Sequence, residues 1–418
     1  MSEDIGDMTG GGQQGNKSAA VPAGSPLEDD NLLSVILCRL PSVPSSLPRA
    51  SLVCKQWRLL VSDPRFLRDF RSHHQKPPLL GFFSVDFLGN IEFTTMLGPS
   101  SDCICIPAER FSLQVSPASR ILRCHHGRVL VLNQVGTRTM GQHFLVWDPV
   151  TGKLLNVAFP PGIDGKMMRV IDGGVVCAAT DQGHVHGACH SDPFRVVFIG
   201  EYKGHIFACV YSSETRAWGN LYSMTSPLAY FVTNSPKCPS NLVRNNSICL
   251  LIFGEKAVIL EFDWGRGTLA HIDVPSDAYQ FDAFIGGMCQ FMVTPADSDS
   301  GGLSFILLSS FSVHVWKRVS HGGTDATWML GDTIELRKLL SLKPIMSLSI
   351  MGLDEDNNVI FKLTDSVVFT VNLETLQFKR LSTQLPFYPI SFHPFKSFYT
   401  PGVRVCAGHN DIKSLSGA

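Results

Sequence analysis

The sequence predicts an α+β multidomain chain, a small three-helix unit followed by an all-β propeller of six or seven blades. Three observations carry that expectation. Between Leu27 and His74 apolar residues recur at helical spacing. From about residue 79 onward, short runs of Val, Ile, Leu, Phe and Trp alternate with Gly, Pro, Asn, Asp and Ser, the texture of short strands joined by turns. Within that strand-rich region the same hairpin pattern returns at intervals close to the length of a propeller blade.

The totals set the frame. At 418 residues the chain is too long for one ordinary core unless that core is built from repeats. Apolar residues make up 44% and charged residues 17%, and the net charge is −1. Lysines and arginines form no stripe, so neither nucleic acid nor an anionic membrane is expected as a partner. The 12 cysteines occur singly or in loose pairs, and the opening "MSEDIGDMTGGGQQGNK" lacks the apolar core of a secretory signal. Reduced thiols in the cytoplasm or nucleus are therefore expected. The most apolar runs, "SICLLIFG" and "LSFILLSSF", fall well short of the ~20 residues of a membrane span. Residues 1–26, poor in large apolar side chains, read as a disordered tail. The expected domains are then 27–75, helical, and 76–405, strand-rich, with a second disordered tail at 406–418.

In the helical region, "DDNLLSVILCRLP" sets Leu33, Ile36, Leu37 and Leu40 on one face, and Pro41 ends the helix. "SVPSSLPRASLVCKQWRLLVSD" offers Ser46 as an N-cap and Pro48 in the first turn, and stacks Val53, Trp57 and Leu60 at i, i+4, i+7. In "SDPRFLRDFRSHH" Asp63 can cap, Pro64 can open the helix, and Phe66, Leu67 and Phe70 face inward. Three helices this short cannot hide so many large apolar side chains among themselves. Each one left exposed forgoes roughly 1.5–3 kcal/mol. A second polypeptide is expected to supply the missing wall.

Leu27 to Phe70 resembles an F-box. The family pattern stands here as Leu40-Pro41, Val53-Cys54-Lys55-Gln56-Trp57 and Asp63-Pro64-Arg65-Phe66, with Leu27-Glu28 and Val35 departing from it. The resemblance implies docking onto the Skp-type adaptor of a Skp–cullin–F-box ubiquitin ligase and, through it, onto a cullin. The expected adaptor contacts are Leu27, Leu33, Ile36, Leu37, Leu40, Leu47, Val53, Cys54, Trp57, Leu60 and Phe66.

The repeated hairpin reads "WDPVTGKL", "YSSETRAW", "FDWGRGTL" and "VNLETLQF", and "HVWKRVSHGGTDATWML" fits with a longer loop. Each time Asp148, Ser212, Asp263 or Asn372 follows an apolar strand end, and such side chains bond backbone N–H groups two or three residues on. The spacing, near the ~50 residues of a kelch blade, favours a propeller over an irregular pair of β-sandwiches. "RILRCHHGRVLVLN" reads as inner strands. The phrases "KPPLLGFF", "CHHGRVLVLN" and "VYSSETRAW" resemble the F-box-associated, kelch-like domains of plant F-box proteins, which implies that the propeller binds a protein substrate for ubiquitination.

Candidate chemistry is sparse. "GHVHGACH" gathers His184, His186, Cys189 and His190, with His186 and His190 at H-x3-H, but it lacks a C-x2-C partner, and its glycines suggest a mobile loop. No metal or cofactor is assigned. His125-His126 reads as a strand edge with one ring hydrogen-bonded. No G-x-S-x-G, H-E-x-x-H or P-loop is present. Trp328 in "GGTDATW" reads as blade packing, and Asp354 and Asp356 as turn residues. A non-catalytic receptor subunit is expected. The alternatives are a propeller enzyme acting on a glycan or small molecule, and an F-box protein with a non-degradative role.

Overall fold

The computed structural model describes residues 29–86, 88–96, 108–134, 141–163, 168–180, 184–228, 241–244, 246–253, 256–280, 291–295, 302–320, 326–342, 348–354, 358–363, 367–381 and 392–400. The two expected tails and Leu27 lie outside them. Among the described residues no helix is long and apolar enough to cross a membrane.

Four N-terminal helices stand where the spacing predicted three: α1 (Asp30–Cys38), α2 (Ser46–Ser51), α3 (Lys55–Ser62) and α4 (Pro64–His74). The extra break falls at Leu52–Cys54. Cys54 is fully extended at φ −159°, ψ 174° and precedes α3 as its N-cap. The Ser51 hydroxyl donates back to the Pro48 carbonyl at 2.6 Å, a local bond that competes with continuation of α2. Val53 therefore sits in a turn, 62% exposed, and does not stack beneath Trp57 on one helix. Ser45, not Ser46, precedes α2, and it makes no side-chain cap bond. The Asp63 cap holds as expected: its carboxylate accepts the Arg65 N–H at 2.6 Å, with Pro64 at the first helical position. Asp29 caps α1 in the same way, accepting from Asn31 and Leu32.

The remainder is a six-blade propeller. After β1 (Leu79–Val85), β2 (Asn90–Thr95) and β3 (Leu113–Gln114) come five sheets in chain order. Blade 2 is β4 (Arg120–His125), β5 (Arg128–Gln134), β6 (Gln142–Asp148) and β7 (Lys153–Val157). Blade 3 is β8 (Arg169–Cys177), β9 (Phe194–Tyr202), β10 (His205–Ser212) and β11 (Ala217–Trp218), with β12 (Tyr222–Thr225) also on β10. Blade 4 is β13 (Asn241–Arg244), β14 (Ser247–Phe253), β15 (Ala257–Asp263) and β16 (Thr268–Asp273). Blade 5 is β17 (Phe291–Pro295), β18 (Leu303–Ser309), β19 (Ser312–Ser320) and β20 (Ala326–Glu335), followed by the short α5 (Leu336–Leu339). Blade 6 is β21 (Leu348–Leu353), β22 (Asn358–Leu363), β23 (Val368–Asn372) and β24 (Phe378–Leu381).

The last strand, β25 (His393–Lys396), returns to pair antiparallel with β1, so blade 1 is assembled from both ends of the propeller. Gly81 of β1 faces Phe395 there, and a side chain at Gly81 would collide with the Thr94 carbonyl. The innermost strands β25, β4, β8, β13, β17 and β21 follow one another around the axis, with β8 and β13 meeting where Gly174 faces the Val243 side chain. "RILRCHHGRVLVLN" supplies β4 and β5 of that ring, as expected.

Apolar cores lie between blades, which is what distinguishes this ring from paired sandwiches. Phe83 and Phe111 meet Trp147 between blades 1 and 2; Phe144 meets Phe198 between blades 2 and 3; Ile199 meets Phe262 between blades 3 and 4. A continuous cluster from Leu251 through Phe305 to Phe361 joins blades 4, 5 and 6, and Phe82 with Ile360 joins blade 6 to blade 1.

The repeated hairpin of the sequence is the turn between the third and fourth strands of a blade. The Asp148 carboxylate accepts N–H bonds from Val150 at 3.0 Å and Thr151 at 3.2 Å. Asp263 accepts from Arg266, Asn372 from Glu374 and Thr375, and Ser212 from Glu214. The tip of the longer hairpin between β19 and β20 lies outside the described residues. Asp354 serves the turn between β21 and β22, accepting from the Asn358 backbone at 2.9 Å.

Candidate functional site

The helical unit has its own small core of Leu33, Leu37, Leu47, Ala50, Val61, Phe66 and Phe70. Cys38, Leu40, Trp57, Leu60 and Leu67 pack against it while only partly buried. A second set of apolar side chains faces solvent: Leu32, Val35 and Ile36 at i, i+3, i+4 on α1, Val43 ahead of α2, Leu52 and Val53 in the α2–α3 turn, and Leu59 on α3. The Gln56 amide donates to the Asp30 carboxylate at 2.8 Å and holds α3 beside the start of α1. Burying such side chains gains roughly 1.5–3 kcal/mol each, so this face is a surface that a partner can cover.

The structure divides the expected contact set. Ile36, Val53 and Cys54 are exposed, and Leu40, Trp57 and Leu60 are half-buried at the rim. Leu33, Leu37, Leu47 and Phe66 are at most 3% exposed and are the unit's own core, out of reach of a partner in this state. An apolar helix stripe wider than its neighbour feeds both sides, and spacing alone does not say which residue turns which way. Leu32, Val35, Leu52 and Leu59, which the expected set did not include, are exposed on this face for that reason.

The propeller carries clefts between its outer strands. One of about 690 Å³ holds Asp148, His190, Asp192 and Glu214. Another of about 1040 Å³ is lined by Lys76, Lys317, Asp332, Glu335, Lys338 and Glu374 and touches the link to the helices.

The "GHVHGACH" segment is arranged differently from its spacing. His190 leaves the group and hydrogen-bonds Asp148 through Nδ1 at 2.9 Å. His184, His186 and Cys189 turn inward and meet Cys177, the last residue of β8. Contact between the two sulfurs, beside the imidazoles, draws the Cys177 thiol well below the ordinary range and pushes the Cys189 thiol up. His126 is the expected hydrogen-bonded ring at the β4–β5 turn, accepting the Cys177 N–H at 3.0 Å. Nor is this loop loosely held: the Gly187 carbonyl accepts the Ser397 hydroxyl at 2.8 Å and the Phe398 N–H at 3.0 Å.

Comparison with known proteins agrees with the helical unit. Residues 29–69 match the F-box domain family, so the chain carries an F-box domain ahead of its six-blade propeller. No curated protein matches the chain. Among solved structures, it is similar to a DUF4784 family protein from Bacteroides caccae ATCC 43185 (9% identity, 76% of this chain and 73% of that chain, TM-score 0.44). It is also similar to the Dos1 propeller (10% identity, 73% and 68%, TM-score 0.35) and to puromycin hydrolase (12% identity, 63% and 39%, TM-score 0.36). At these values the structural likenesses carry no functional weight.

Proposed function

We propose that this protein is the substrate-receptor subunit of a Skp–cullin–F-box ubiquitin ligase. The F-box docks on a Skp-type adaptor, which links it to a cullin, and the propeller holds a protein substrate. In this reading the propeller is of the kelch-like kind found in plant F-box proteins, and the complex works in the cytoplasm or nucleus. The chain performs no bond chemistry; it raises the concentration of target lysines beside the ubiquitin-charged enzyme. The observation that carries the reading is the apolar face of Leu32, Val35, Ile36, Leu52, Val53 and Leu59 left uncovered on the F-box.

The test is co-purification of the full chain with a Skp-type adaptor. Val53→Asp and Ile36→Asp alter exposed positions and are expected to abolish capture without disturbing the fold. Full capture by the double variant would sink the docking surface proposed here. Trp57→Ala with Leu40→Ala is a weaker test, since both side chains pack on the F-box core.

A further inference from the structure

We infer that Cys177, His184, His186 and Cys189 form a structural zinc site that clasps the β8–β9 segment of blade 3. Their donor atoms all lie within 4.8 Å of one another. Three of the nitrogen–sulfur separations are those of a coordination shell. Nε2 of His184 is 3.4 Å from Sγ of Cys177 and 3.3 Å from Sγ of Cys189, and Nδ1 of His186 is 3.6 Å from Sγ of Cys189. A tetrahedron with Zn–S bonds of about 2.3 Å and Zn–N bonds of about 2.0–2.1 Å sets N···S edges of about 3.5 Å. Two thiolates and two imidazoles in that geometry select Zn²⁺ among the common divalent ions.

The frame around the donors is rigid. Cys177 is fixed at the end of β8, and its N–H is bound by His126. The His126 ring stacks on His186 with centroids 3.6 Å apart and planes 11° from parallel. The buried Arg128 guanidinium bonds the carbonyl of Cys189 and, at 2.7 Å, that of Asp192. The Asp192 carboxylate stands 3.8 Å from Nδ1 of His184, the ring nitrogen turned away from the donors, where an outer carboxylate orients a ligating histidine.

Gly187, at φ +96°, lets the chain turn between His186 and Cys189, and a side chain there would meet Cβ of Pro77 at 2.6 Å. Blades 2 and 3, the strand that closes blade 1 and the link from the F-box thus converge on one loop. Four protein donors leave no open position, so the site is structural and not catalytic. The sequence concealed it because the pattern is C-x6-H-x-H-x2-C, and Cys177 closes a run of valines that reads as core.

The test uses full-length protein stripped with a chelator and titrated with Zn²⁺ and, separately, Co²⁺. Expected are one tightly bound zinc per chain by elemental analysis and, with Co²⁺, the intense visible bands of a tetrahedral thiolate site. Cys177→Ser with Cys189→Ser should abolish binding, whereas His190→Gln should keep it in full. Metal-free wild-type protein that takes up no zinc, or an octahedral Co²⁺ spectrum, overturns the assignment. So does stoichiometric zinc retained by the double serine variant. Should that variant fail to fold, the wild-type titration and spectrum decide alone.

Discussion

The indole N–H of Trp218, on the fourth strand of blade 3, donates to the carbonyl of Ala158, just past the fourth strand of blade 2, at 2.8 Å. Trp328 on β20 repeats the bond to Asp273 at the end of β16, also at 2.8 Å. Each tryptophan fastens the outer edge of its blade to the one before while its ring packs inward, Trp218 near Phe144 and Phe198 and Trp328 on Phe305. Replacing either by Phe keeps an aromatic ring and removes the donor. Each change is expected to cost about 1 kcal/mol, and the two, being distant, should add. Urea unfolding of the single and double variants checks this; an unchanged midpoint in the double variant would show that these bonds contribute nothing.

In the F-box the buried core positions and the exposed apolar positions are different residues. Leu37→Ala removes a core side chain that is 1% exposed and should cost about 2–5 kcal/mol, enough to melt so small a unit. Val53→Asp should leave it folded. Hydrogen exchange over residues 30–74 distinguishes the two: rapid exchange throughout for Leu37→Ala, a wild-type pattern for Val53→Asp.

Closure of the ring depends on β25. Removing residues 392–418 takes away Phe392, Phe395, Phe398 and Tyr399, all buried, and strips β1 of its partner edge. That truncation should give aggregation or loss of cooperative unfolding. Removing 406–418 alone, the stretch read from the sequence as a tail, should leave the thermal midpoint unchanged.

His393, on the same strand, predicts a pH response. Burial, with Arg123 and Arg120 beside it, pushes its imidazole down to about 3. An unfolded chain takes up that proton near pH 6.5, so between about pH 6.5 and 3 the unfolded state binds more protons than the folded one. Stability from this group is full above pH 6.5, falls as pH drops through that window, and changes no further below it. His393→Gln should flatten the acid limb of the stability–pH curve by up to ~1.4 kcal/mol per pH unit. An acid limb identical to wild type would show that His393 does not titrate this way.

What was legible in the sequence follows from what is local. Asp148, Asp263 and Asn372 announce their hairpins because the bonds they make lie within three residues. Asp63-Pro64 announces α4 for the same reason. The α2–α3 break was hidden because Val53 and Cys54 keep helical apolar spacing while the backbone leaves the helix. The closing strand and the Cys177 contact were hidden because each joins residues that only the ring brings together.

Because His393–Lys396 completes the sheet that Leu79–Val85 begins, the propeller cannot close until that strand has been synthesised, whereas the F-box precedes every blade along the chain. A message cut anywhere between these two strands would yield a product with an intact handle and an unfinished ring. Under the proposed function, such a product would occupy adaptors without delivering cargo, and would act as a competitor of the complete protein.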